Sequence, residues 1–440
     1  MTQVLRVGVA GLGTVGSSVV RLLDKQRDAL ASRCGKIIKV TAVSARDRSR
    51  DRGIDLSAVQ WFDDPVELAS SPDIDCFVEL IGSENGPAKA AVEAALKAGK
   101  SVVTANKALL ARHGSDLARL AEANGATLSF EASVAGGIPV IKTLKECLVG
   151  NRIERVSGIL NGTCNYILTR MEEEGLSFED CLAQAQALGY AEADPTFDIG
   201  GYDTAHKLAI LTTLAFGTEV NLGAIYVEGI ASIDEIDIRM AGELGYRIKL
   251  LGVAERSPSG IEQRVHPTMV RKDSPIAQVM GVTNAVQIQG DAVGELTLVG
   301  PGAGGDATAS SVIADVADVA QGLFGSPFGW PVVNLGRSVQ EPMKRHGGGY
   351  YVRLTVSDRP GAAASIVTSF AESGISLESI VQRRSEDAVM RDPAGRSGAP
   401  VPVVIITYAT TEKAIREAVN QTISEGHVVE PPQVIRIERE

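Results

Sequence analysis

The first part of the chain alternates short apolar runs with amphipathic segments. QVLRVGVAGLGTVGSSVVRLLDKQ, at residues 3–26, has the pattern of a buried strand, a glycine turn and a helix with apolar residues at helical spacing. The alternation continues in strand-like IIKVTAVSA, DCFVELIG, KSVVTAN and ATLSFEAS, with helical segments such as GPAKAAVEAALKAG between them. Because parallel strands are joined by crossover helices, the pattern predicts a doubly wound parallel α/β sheet over residues 1–130.

The alternation weakens after residue 130. Residues 131–305 mix helical SFEDCLAQAQALG and DTAHKLAILTTLAF with strand-like RIKLLGVAE, NAVQIQG and GELTLVG, which predicts an α+β domain. After GPGAGG comes ATASSVIADVADVAQGLFG, whose small apolar residues suit close packing against another helix. We therefore expect residues 306–340 to return to the first domain, so that residues 131–305 are an insertion.

A glycine-rich joint, KRHGGG, precedes a third pattern. YYVRLTVSDRPGAAASIVTSFAESGISLESIVQRR predicts strand, turn, helix and strand, and VPVVIITYA, TEKAIREAVNQTI and VIRIERE add strand, helix and strand. The order βαββαβ predicts a ferredoxin-like domain over residues 349–440. Polar RSEDAVMRDPAGRSGAP, at residues 384–400, is expected to form a loop between its halves. The glycine joint suggests that this domain has its own core and is separable.

The composition is that of an acidic globular protein. Of 440 residues, 44% are hydrophobic and 22% charged, and the formal net charge is -11. Nucleic-acid binding requires a basic face, so a small-molecule ligand is favoured. No apolar stretch is long enough to span a bilayer and no basic segment precedes a long apolar run, so we expect no membrane partner and a cytoplasmic location. The five cysteines include no CxxC pair, which argues against a disulfide framework or structural zinc.

Gly11, Gly13 and Gly16 form GxGxxG directly after the first predicted strand and at the start of a helix. In this setting the glycines permit a tight turn and let backbone N–H groups approach a pyrophosphate, which favours dinucleotide binding by a Rossmann-type sheet. Arg46 and Asp47 follow the second predicted strand. An arginine there neutralises a 2′-phosphate, whereas an acid binds a 2′-hydroxyl, so NADPH is favoured over NADH.

Carboxylates and a lysine are concentrated in EADPTFDIGGYDTAHKLAI, at residues 192–210. Asp203 and Lys207 are four residues apart, so they share one face of the helix predicted for DTAHKLAILTTLAF. Taken alone, such a pair is usually a solvated ion pair at a helix start. Glu192 and Asp198 add carboxylates that helix capping does not require.

Two other segments carry candidate chemistry. Lys107, in VVTANKALL, follows a predicted parallel strand at the edge where open sheets bind ligands, although most lysines are simply exposed. In FEASVAGGIPVI, Glu131 precedes Val134, Gly136 and Gly137 in a loop whose carbonyl groups could join the carboxylate around a hard cation. A glycine bend between two domains would explain that segment equally well.

Two residues beside these segments are weaker candidates for a catalytic role. Cys164, in NGTCNYIL, would need a base or a positive field to act as a nucleophile, and no histidine can be assigned to it. A packed thiol is therefore favoured. His206 adjoins Lys207 but points about 100° around the helix, which makes it a poor general acid.

Taken in order, these segments resemble the homoserine dehydrogenases of the long bacterial type, which end in an ACT domain. The resemblance covers the whole length and rests on GLGTVG (11–16), TANKALL (104–110), EASVAGGIP (131–139), NGTCNYIL (161–168), ALGYAEADPTFDIGGYDTAHKLAIL (187–211) and GPGAGG (300–305). It implies NAD(P)H-dependent interconversion of L-aspartate 4-semialdehyde and L-homoserine in threonine, methionine and isoleucine biosynthesis. It also implies a catalytic and dimerisation role for residues 131–305, a homodimer or homotetramer, and inhibition by threonine through the ACT domain.

The resemblance further implies roles for individual residues. Lys207 would donate a proton to the carbonyl oxygen, Asp203 would belong to the same catalytic group, and Lys107 would lie between nicotinamide and substrate. Glu192 and Asp198 would bind the substrate. The residues expected around NADPH or NADH are Gly11, Gly13, Thr14, Val15, Gly16, Arg46, Ser83, Lys107 and Gly302. Those expected around a sodium or potassium ion are Glu131, Val134, Gly136 and Ile138.

Two rival interpretations stay open at the level of sequence. An aldehyde dehydrogenase would form an acyl enzyme on Cys164 or Cys147, would require phosphate or coenzyme A, and would lose activity on Cys164→Ser. A non-enzymatic sensor of nucleotide and amino acid would keep the fold and bind without turnover. The sensor has no use for the lysine and the carboxylates together.

Overall fold

The structure is a computed structural model that describes residues 3–337, 339–382 and 400–438. The loop expected over residues 384–400 lies outside these ranges except for Pro400, which begins a strand.

The first sheet is parallel and has six strands. They are β1 (Val4–Ala10), β2 (Ile37–Ser44), β3 (Gln60–Phe62), β4 (Cys76–Glu79), β5 (Ser101–Thr104) and β6 (Leu128–Ser129). The accompanying helices are α1 (Thr14–Lys25), α2 (Arg27–Cys34), α3 (Pro65–Ser70), α4 (Pro87–Lys97) and α5 (Lys107–Ala123). The strand order β3-β2-β1-β4-β5-β6 confirms the predicted doubly wound sheet, and it reverses direction between β1 and β4, where such sheets bind ligands.

The second domain combines helices with an antiparallel sheet. Its helices are α6 (Ala132–Ala135), α7 (Val140–Lys142), α8 (Gly162–Glu174), α9 (Phe178–Ala187), α10 (Thr196–Ile199), α11 (Tyr202–Phe216) and α12 (Glu235–Glu243). Its strands are β7 (Ile153–Ile159), β8 (Tyr226–Val227), β9 (Tyr246–Ser257), β10 (Gly260–Arg271), β11 (Thr283–Gly290) and β12 (Gly294–Pro301). The order is β12-β11-β7-β9-β10, and β8 pairs with β10. The predicted α+β architecture is confirmed, and α11 is buried from Asp203 to Phe216.

Helix α13 (Gly305–Gln321) returns to the first domain and packs against α1. Its Ala309, Val312 and Val316 belong to the same apolar core as residues of β1. The small side chains allow the close approach that the sequence suggested.

The C-terminal domain has the predicted ferredoxin-like order. It consists of β13 (Gly347–Ser357), α14 (Ala362–Glu372), β14 (Leu377–Gln382), β15 (Pro400–Thr407), β16 (Thr410–Thr411), α15 (Glu412–Ser424) and β17 (Gln433–Ile437). Its main strands lie in the order β17-β13-β15-β14, and one face packs with α14 and α15 into an apolar core of its own.

The glycine joint predicted a separable C-terminal domain. This prediction is wrong, because the other face of the domain is joined to the second domain. Strand β17 pairs in parallel with β10, so the second and third domains share one 11-stranded sheet. Tyr351, Ile406 and Ile437 belong to the same apolar core as the second domain. The glycines themselves begin β13, because Gly347 pairs with Thr411 in β16. A glycine run that pairs in a sheet does not act as a flexible joint.

Within the residues that the structure describes, every helix is too short or too polar to cross a membrane.

Candidate active site

The glycine turn after β1 has the geometry that a dinucleotide requires. Gly11 has φ +94°, and a Cβ there would lie 2.4 Å from the carbonyl oxygen of Leu80. A Cβ on Gly16 would lie 1.9 Å from the oxygen of Gly11. Gly13 is different, because a Cβ there would meet nothing within 4 Å. The open space lies at the N-terminus of α1, whose free N–H groups suit a phosphate, so the turn fits the expected cofactor.

A cavity of about 590 Å³ lies at this turn, at the carboxyl ends of β1, β2 and β4. Its walls include four of the expected cofactor residues, Gly11, Gly13, Arg46 and Ser83. They also include Arg50 and Arg52, which the sequence analysis did not select although they stand in the arginine-rich run RDRSRDR. Arg52 donates to the carbonyl oxygen of Leu12 and so holds this run against the turn.

The other expected cofactor residues lie beside the cavity. Thr14 and Val15 form the first turn of α1. Gly302 belongs to the loop between β12 and α13. A Cβ on Gly305, the first residue of α13, would lie 2.9 Å from Oγ of Ser18 and 3.1 Å from Cγ2 of Thr14, both in α1. The start of α13 is therefore packed on the start of α1, which borders the cavity.

Lys107 and Lys207, one hundred residues apart in sequence, meet at one carboxylate. Lys207 Nζ donates to Oδ2 of Asp203 at 2.7 Å and to the carbonyl oxygen of Leu160 at 2.6 Å. Lys107 Nζ lies 2.5 Å from Oδ1 of Asp203. Asp203 is 2% exposed, which distinguishes this arrangement from a solvated helix pair.

Asn161 joins the remaining carboxylate to the cluster. Its Nδ2 donates to Oδ1 of Asp198 at 2.8 Å and to Oδ2 of Asp203 at 2.9 Å. Its Oδ1 accepts from the backbone N–H of Cys164, so the same side chain caps α8. The sequence analysis quoted this asparagine within NGTCNYIL but assigned it no role, because a helix cap explains it without a site.

The charges of the cluster shift its pKa values. Burial opposes ionisation of Asp203, but the two ammonium groups outweigh it and hold the pKa of this carboxyl far below its usual range. Burial lowers the pKa of Lys207, with a contribution from Lys107, although Asp203 opposes the shift. Burial and the nearby charge of Asp203 raise the pKa of Asp198. A lysine that gives up its proton more readily than usual suits proton transfer.

Glu79 ties the cofactor cavity to Lys107, which the sequence did not predict. This residue is fully buried at the end of β4, and its carboxylate accepts from the hydroxyl of Thr104 at 2.6 Å. Thr104 accepts in turn from the backbone N–H of Asn106. Asn106 caps α5 and donates to the carbonyl oxygen of Ser83 at 2.7 Å. Lys107, the next residue, is therefore held beside the cavity wall.

Glu192 lies apart from these contacts. It is exposed in the segment between α9 and α10, and its carbonyl oxygen accepts from Gln186. Among the described residues, no ion pair or hydrogen bond engages its carboxylate.

The predicted cation loop begins with a buried acid. Glu131 is 1% exposed, and its carboxylate accepts from the backbone N–H groups of Ile141 and Lys142, both at 2.8 Å. Burial raises the pKa of Glu131 to about 7, because its effect and that of Asp315 exceed those of the two hydrogen bonds. A cation close to this carboxylate would favour its charged form.

The carbonyl groups of this loop already have protein donors. The Gly136 oxygen accepts from Oγ of Ser311 at 2.7 Å, and the Ile138 oxygen accepts from the N–H of Val140 at 2.8 Å. Val134 lies in the short helix α6. In the described part of the chain no group of three or more His, Cys, Asp or Glu side chains would hold a metal. A cation here would depend on carbonyl oxygens, which have a second lone pair and are of the type that hard cations prefer.

The thiols do not fit a nucleophile. Cys164 is fully buried, and its Sγ donates to the carbonyl oxygen of Asp198 at 3.2 Å. Burial raises the pKa of this thiol well above its usual value, so a thiolate is disfavoured. Cys147 is exposed at the end of a π-helical turn. His206 packs edge-on against Phe197, and burial lowers its pKa.

A Rossmann-type cavity beside a buried cluster of lysines and carboxylates defines a nicotinamide-dependent dehydrogenase. Three family models match the chain: "Homoserine dehydrogenase, NAD binding domain" over residues 11–131, "Homoserine dehydrogenase" over residues 139–317 and "ACT domain" over residues 350–421. The chain is 42% identical to a homoserine dehydrogenase from Neisseria gonorrhoeae, covering 99% of this chain and 98% of that protein.

Solved structures agree. A crystal structure of a homoserine dehydrogenase from Thiobacillus denitrificans is similar with a TM-score of 0.91 and 40% identity, covering 99% of this chain and 98% of that one. A hyperthermophilic archaeal homoserine dehydrogenase in complex with NADPH is similar with a TM-score of 0.62 and 28% identity, over 74% of this chain and 100% of that one. The chain belongs to the homoserine dehydrogenase family, whose members are oxidoreductases that act on the CH–OH group of homoserine.

Proposed function

We propose that the chain interconverts L-homoserine and L-aspartate 4-semialdehyde with NADPH, and that Lys207 moves the proton at the substrate oxygen. The observation that carries the proposal is the convergence of Lys207 and Lys107 on the buried carboxylate of Asp203. The hydrogen bond from Asn106 to Ser83 links this cluster to the cavity wall.

The chemistry follows from the positions of the charges. When bound, a reduced nicotinamide supplies the hydride. The aldehyde oxygen then gains negative charge, which the ammonium groups of Lys207 and Lys107 stabilise, and Lys207 donates its proton. In the reverse direction the neutral amine of Lys207 accepts the hydroxyl proton, and the lowered pKa increases the fraction of Lys207 that is neutral and available to do so. Asp203 holds both ammonium groups in place.

The substrate also carries an ammonium group, and we assign its recognition to Asp198 and Glu192. The pKa of Asp198 is raised by burial and by Asp203, so a cation bound beside it would relieve an unfavourable charge. Glu192 is exposed and lies six residues before Asp198. It would meet the substrate only at the outer side of the site, so we expect it to affect the KM more than kcat.

Three further features belong to the proposal. Arg46, with Arg50 and Arg52 in the same cavity wall, supports NADPH over NADH, and the archaeal relative is described in complex with NADPH. The buried acid and carbonyl oxygens of the Glu131–Ile138 loop support a bound sodium or potassium ion. The ACT match supports an amino-acid effector, for which we propose threonine, the end product implied by a role in threonine, methionine and isoleucine biosynthesis.

We also propose a homodimer or homotetramer. Strand β12 is at one edge of the long sheet, and its Val299 is 56% exposed. A second copy would cover this edge.

The proposal is tested by following NADPH oxidation at rising aspartate semialdehyde. Lys207→Met should lower kcat by about 10²–10⁴, the usual contribution of a positioned general acid, with little change in NADPH affinity. Lys97→Met, at an exposed lysine of α4, is the control and should behave as the unmodified chain. Normal turnover by Lys207→Met would remove this residue from the mechanism.

A further inference from the structure

The segment Glu228–Ile230 presses against the turn that carries the active-site acids. The N–H of Ile230 donates to the carbonyl oxygen of Ile199 at 2.9 Å. A Cβ on Gly229 would lie 2.2 Å from that oxygen and 2.8 Å from Cα of Gly200. Gly229 has no left-handed φ, so the close approach is the reason that glycine is needed here.

The turn in contact with this segment positions both carboxylates. Ile199 ends α10 directly after Asp198, and α11 begins three residues later with Asp203 in its first turn. The N–H of Gly201 donates to the carbonyl oxygen of Asp198 at 2.9 Å. Displacement of Ile199 would therefore alter the separation of Asp198 from Asp203.

The same segment is held from the C-terminal domain. Oε2 of Glu228 accepts from Nη1 of Arg436 at 2.6 Å and from the hydroxyl of Tyr226 at 2.8 Å. Arg436 lies in β17, is 1% exposed and also donates to both carboxylate oxygens of Glu412. Its position in the sheet is set by pairing with Thr268 of β10.

We propose that Glu228 and Gly229 are positioning residues for the dehydrogenase reaction, which fix the turn carrying Asp198 and Asp203, and that Arg436 sets their position from the C-terminal domain. The inference rests on the proposed function, because it takes both carboxylates to belong to the active site. A shift of β17 relative to β10 would move Glu228 and reach the carboxylates through Gly229. An effector that binds the C-terminal domain more tightly in one such arrangement would then change turnover.

The first test is Gly229→Ala in the full chain. The added methyl group must push the Ile199 turn away, so kcat for homoserine oxidation should fall on the order of 100-fold, as expected for a displacement of about 1 Å in a catalytic site. The Kd of NADPH should stay unchanged, because its cavity lies in the first domain. Gly223→Ala is the matched control: a Cβ there would meet only Oδ1 of Asn221, at 3.6 Å, and kcat should stay normal.

The second test is Glu228→Gln, which keeps the shape of the side chain. It still tests the positioning role if Gly229→Ala does not fold. It removes the charge that Arg436 holds, so we expect roughly a tenfold loss of kcat. A purely structural role would lower the melting temperature without moving the pH dependence of kcat. A positioning role changes that dependence, because the separation of the acids influences the pKa of Lys207.

The outcomes separate this inference from the proposed function. Normal kcat and an unchanged pH profile in Glu228→Gln and in folded Gly229→Ala, alongside a strongly impaired Asp203→Asn, would overturn the inference and leave the function standing. Full activity in Asp203→Asn would remove Asp203 from the active site, and a full chain that does not oxidise homoserine at all would overturn the proposed function itself.

Discussion

At the scale of single residues, burial distinguishes the Asp203–Lys207 pair from an ordinary ion pair on a helix surface. A solvated pair four residues apart on a helix contributes well below 1 kcal/mol, roughly 0.3–0.5 kcal/mol. Here Asp203 lies 2% exposed between two lysines, where removal of one partner leaves an uncompensated buried charge. A buried ion pair of this kind is weak evidence for a stabilising role. We therefore interpret it as part of a functional site in which the charges serve the chemistry.

The pH dependence of the reaction should report this arrangement. In Asp203→Asn, Lys207 loses the carboxylate that raises its pKa, whereas burial and Lys107 still lower it. The amine is then neutral at lower pH. Because homoserine oxidation uses the neutral amine, the rising limb of kcat/KM against pH should move to lower pH while the maximum rate falls.

The control for this profile is Asp194→Asn, since Asp194 is exposed and accepts hydrogen bonds from the backbone and side chain of Thr196. Its profile should match that of the unmodified chain. A limb that moves to higher pH in Asp203→Asn would contradict the assigned roles.

Arg46 provides a second prediction at this scale. Arg46→Ala should weaken NADPH binding by about tenfold or more and leave NADH nearly unchanged, because only NADPH has a 2′-phosphate for the guanidinium. Fluorescence titration of both cofactors measures the difference. Arg33→Ala, in an exposed part of α2, is the control. Equal losses of affinity for NADPH and NADH would mean that Arg46 does not set the preference for NADPH, which would then be assigned to Arg50 or Arg52.

At the scale of elements, α6 and the bend after it connect two sites. Gly136 ends the helix with φ +56°, and a Cβ there would lie 2.4 Å from the carbonyl oxygen of Gly302. The candidate cation loop therefore packs directly on the loop of Gly302, which we expect to approach the cofactor. A bend that merely joins two domains would not require this contact.

A bound cation should stabilise this element. Replacing tetramethylammonium chloride with potassium or sodium chloride at constant ionic strength should raise the melting temperature, by on the order of 2 °C per 1 kcal/mol of binding. Glu131→Gln should abolish the increase, because the buried charge that the cation compensates is gone. An equal increase in both chains would be a general salt effect and would argue against the site.

Strand β10 is a long element that the sequence analysis did not select. It runs for 12 residues from Gly260 to Arg271, yet it contains buried Arg264 and His266 where an apolar pattern would be expected. Arg264 donates to Glu438 of the C-terminal segment at 2.9 Å and also to Glu262 in the same strand. Because one carboxylate partner of Arg264 lies about 170 residues away, the sequence of the strand gives no local signal that this arginine is buried.

At the scale of the whole molecule, the second and third domains are tied by buried polar contacts as well as by the sheet. Asp237 of α12 accepts from the hydroxyl of Tyr351 at 2.8 Å and from Nε of Arg353 at 2.7 Å. Asp237 is fully buried, so it depends on these donors. The C-terminal domain thus supports the catalytic domain structurally.

Deleting residues from Gly347 onward should therefore lower the melting temperature and expose apolar surface. The truncation removes the side-chain donors of Asp237 and strand β17, which is one of the strands that pair with β10. Circular dichroism and binding of a hydrophobic dye measure the two effects. The control is the full chain with Arg353→Met, which loses only the contact of Arg353 with Asp237. Its melting temperature should decrease less than that of the truncated chain.

A truncated chain that melts like the full chain and binds no dye would mean that the domains are separable after all. The response to threonine is better measured on the full chain, where a lost response is not confused with lost structure.

The sequence by itself determined the features that repeat over short distances. Apolar periodicity predicted the doubly wound sheet, the helix over residues 203–216 and the ferredoxin-like order, and the GxGxxG spacing predicted the turn at Gly11. Only the tertiary structure decided that Lys107 reaches Asp203, that Asn161 bridges two carboxylates and that β17 continues the catalytic sheet. The physical reason is that local patterns reflect which face of an element is buried, whereas contacts between distant segments depend on how those faces pack together.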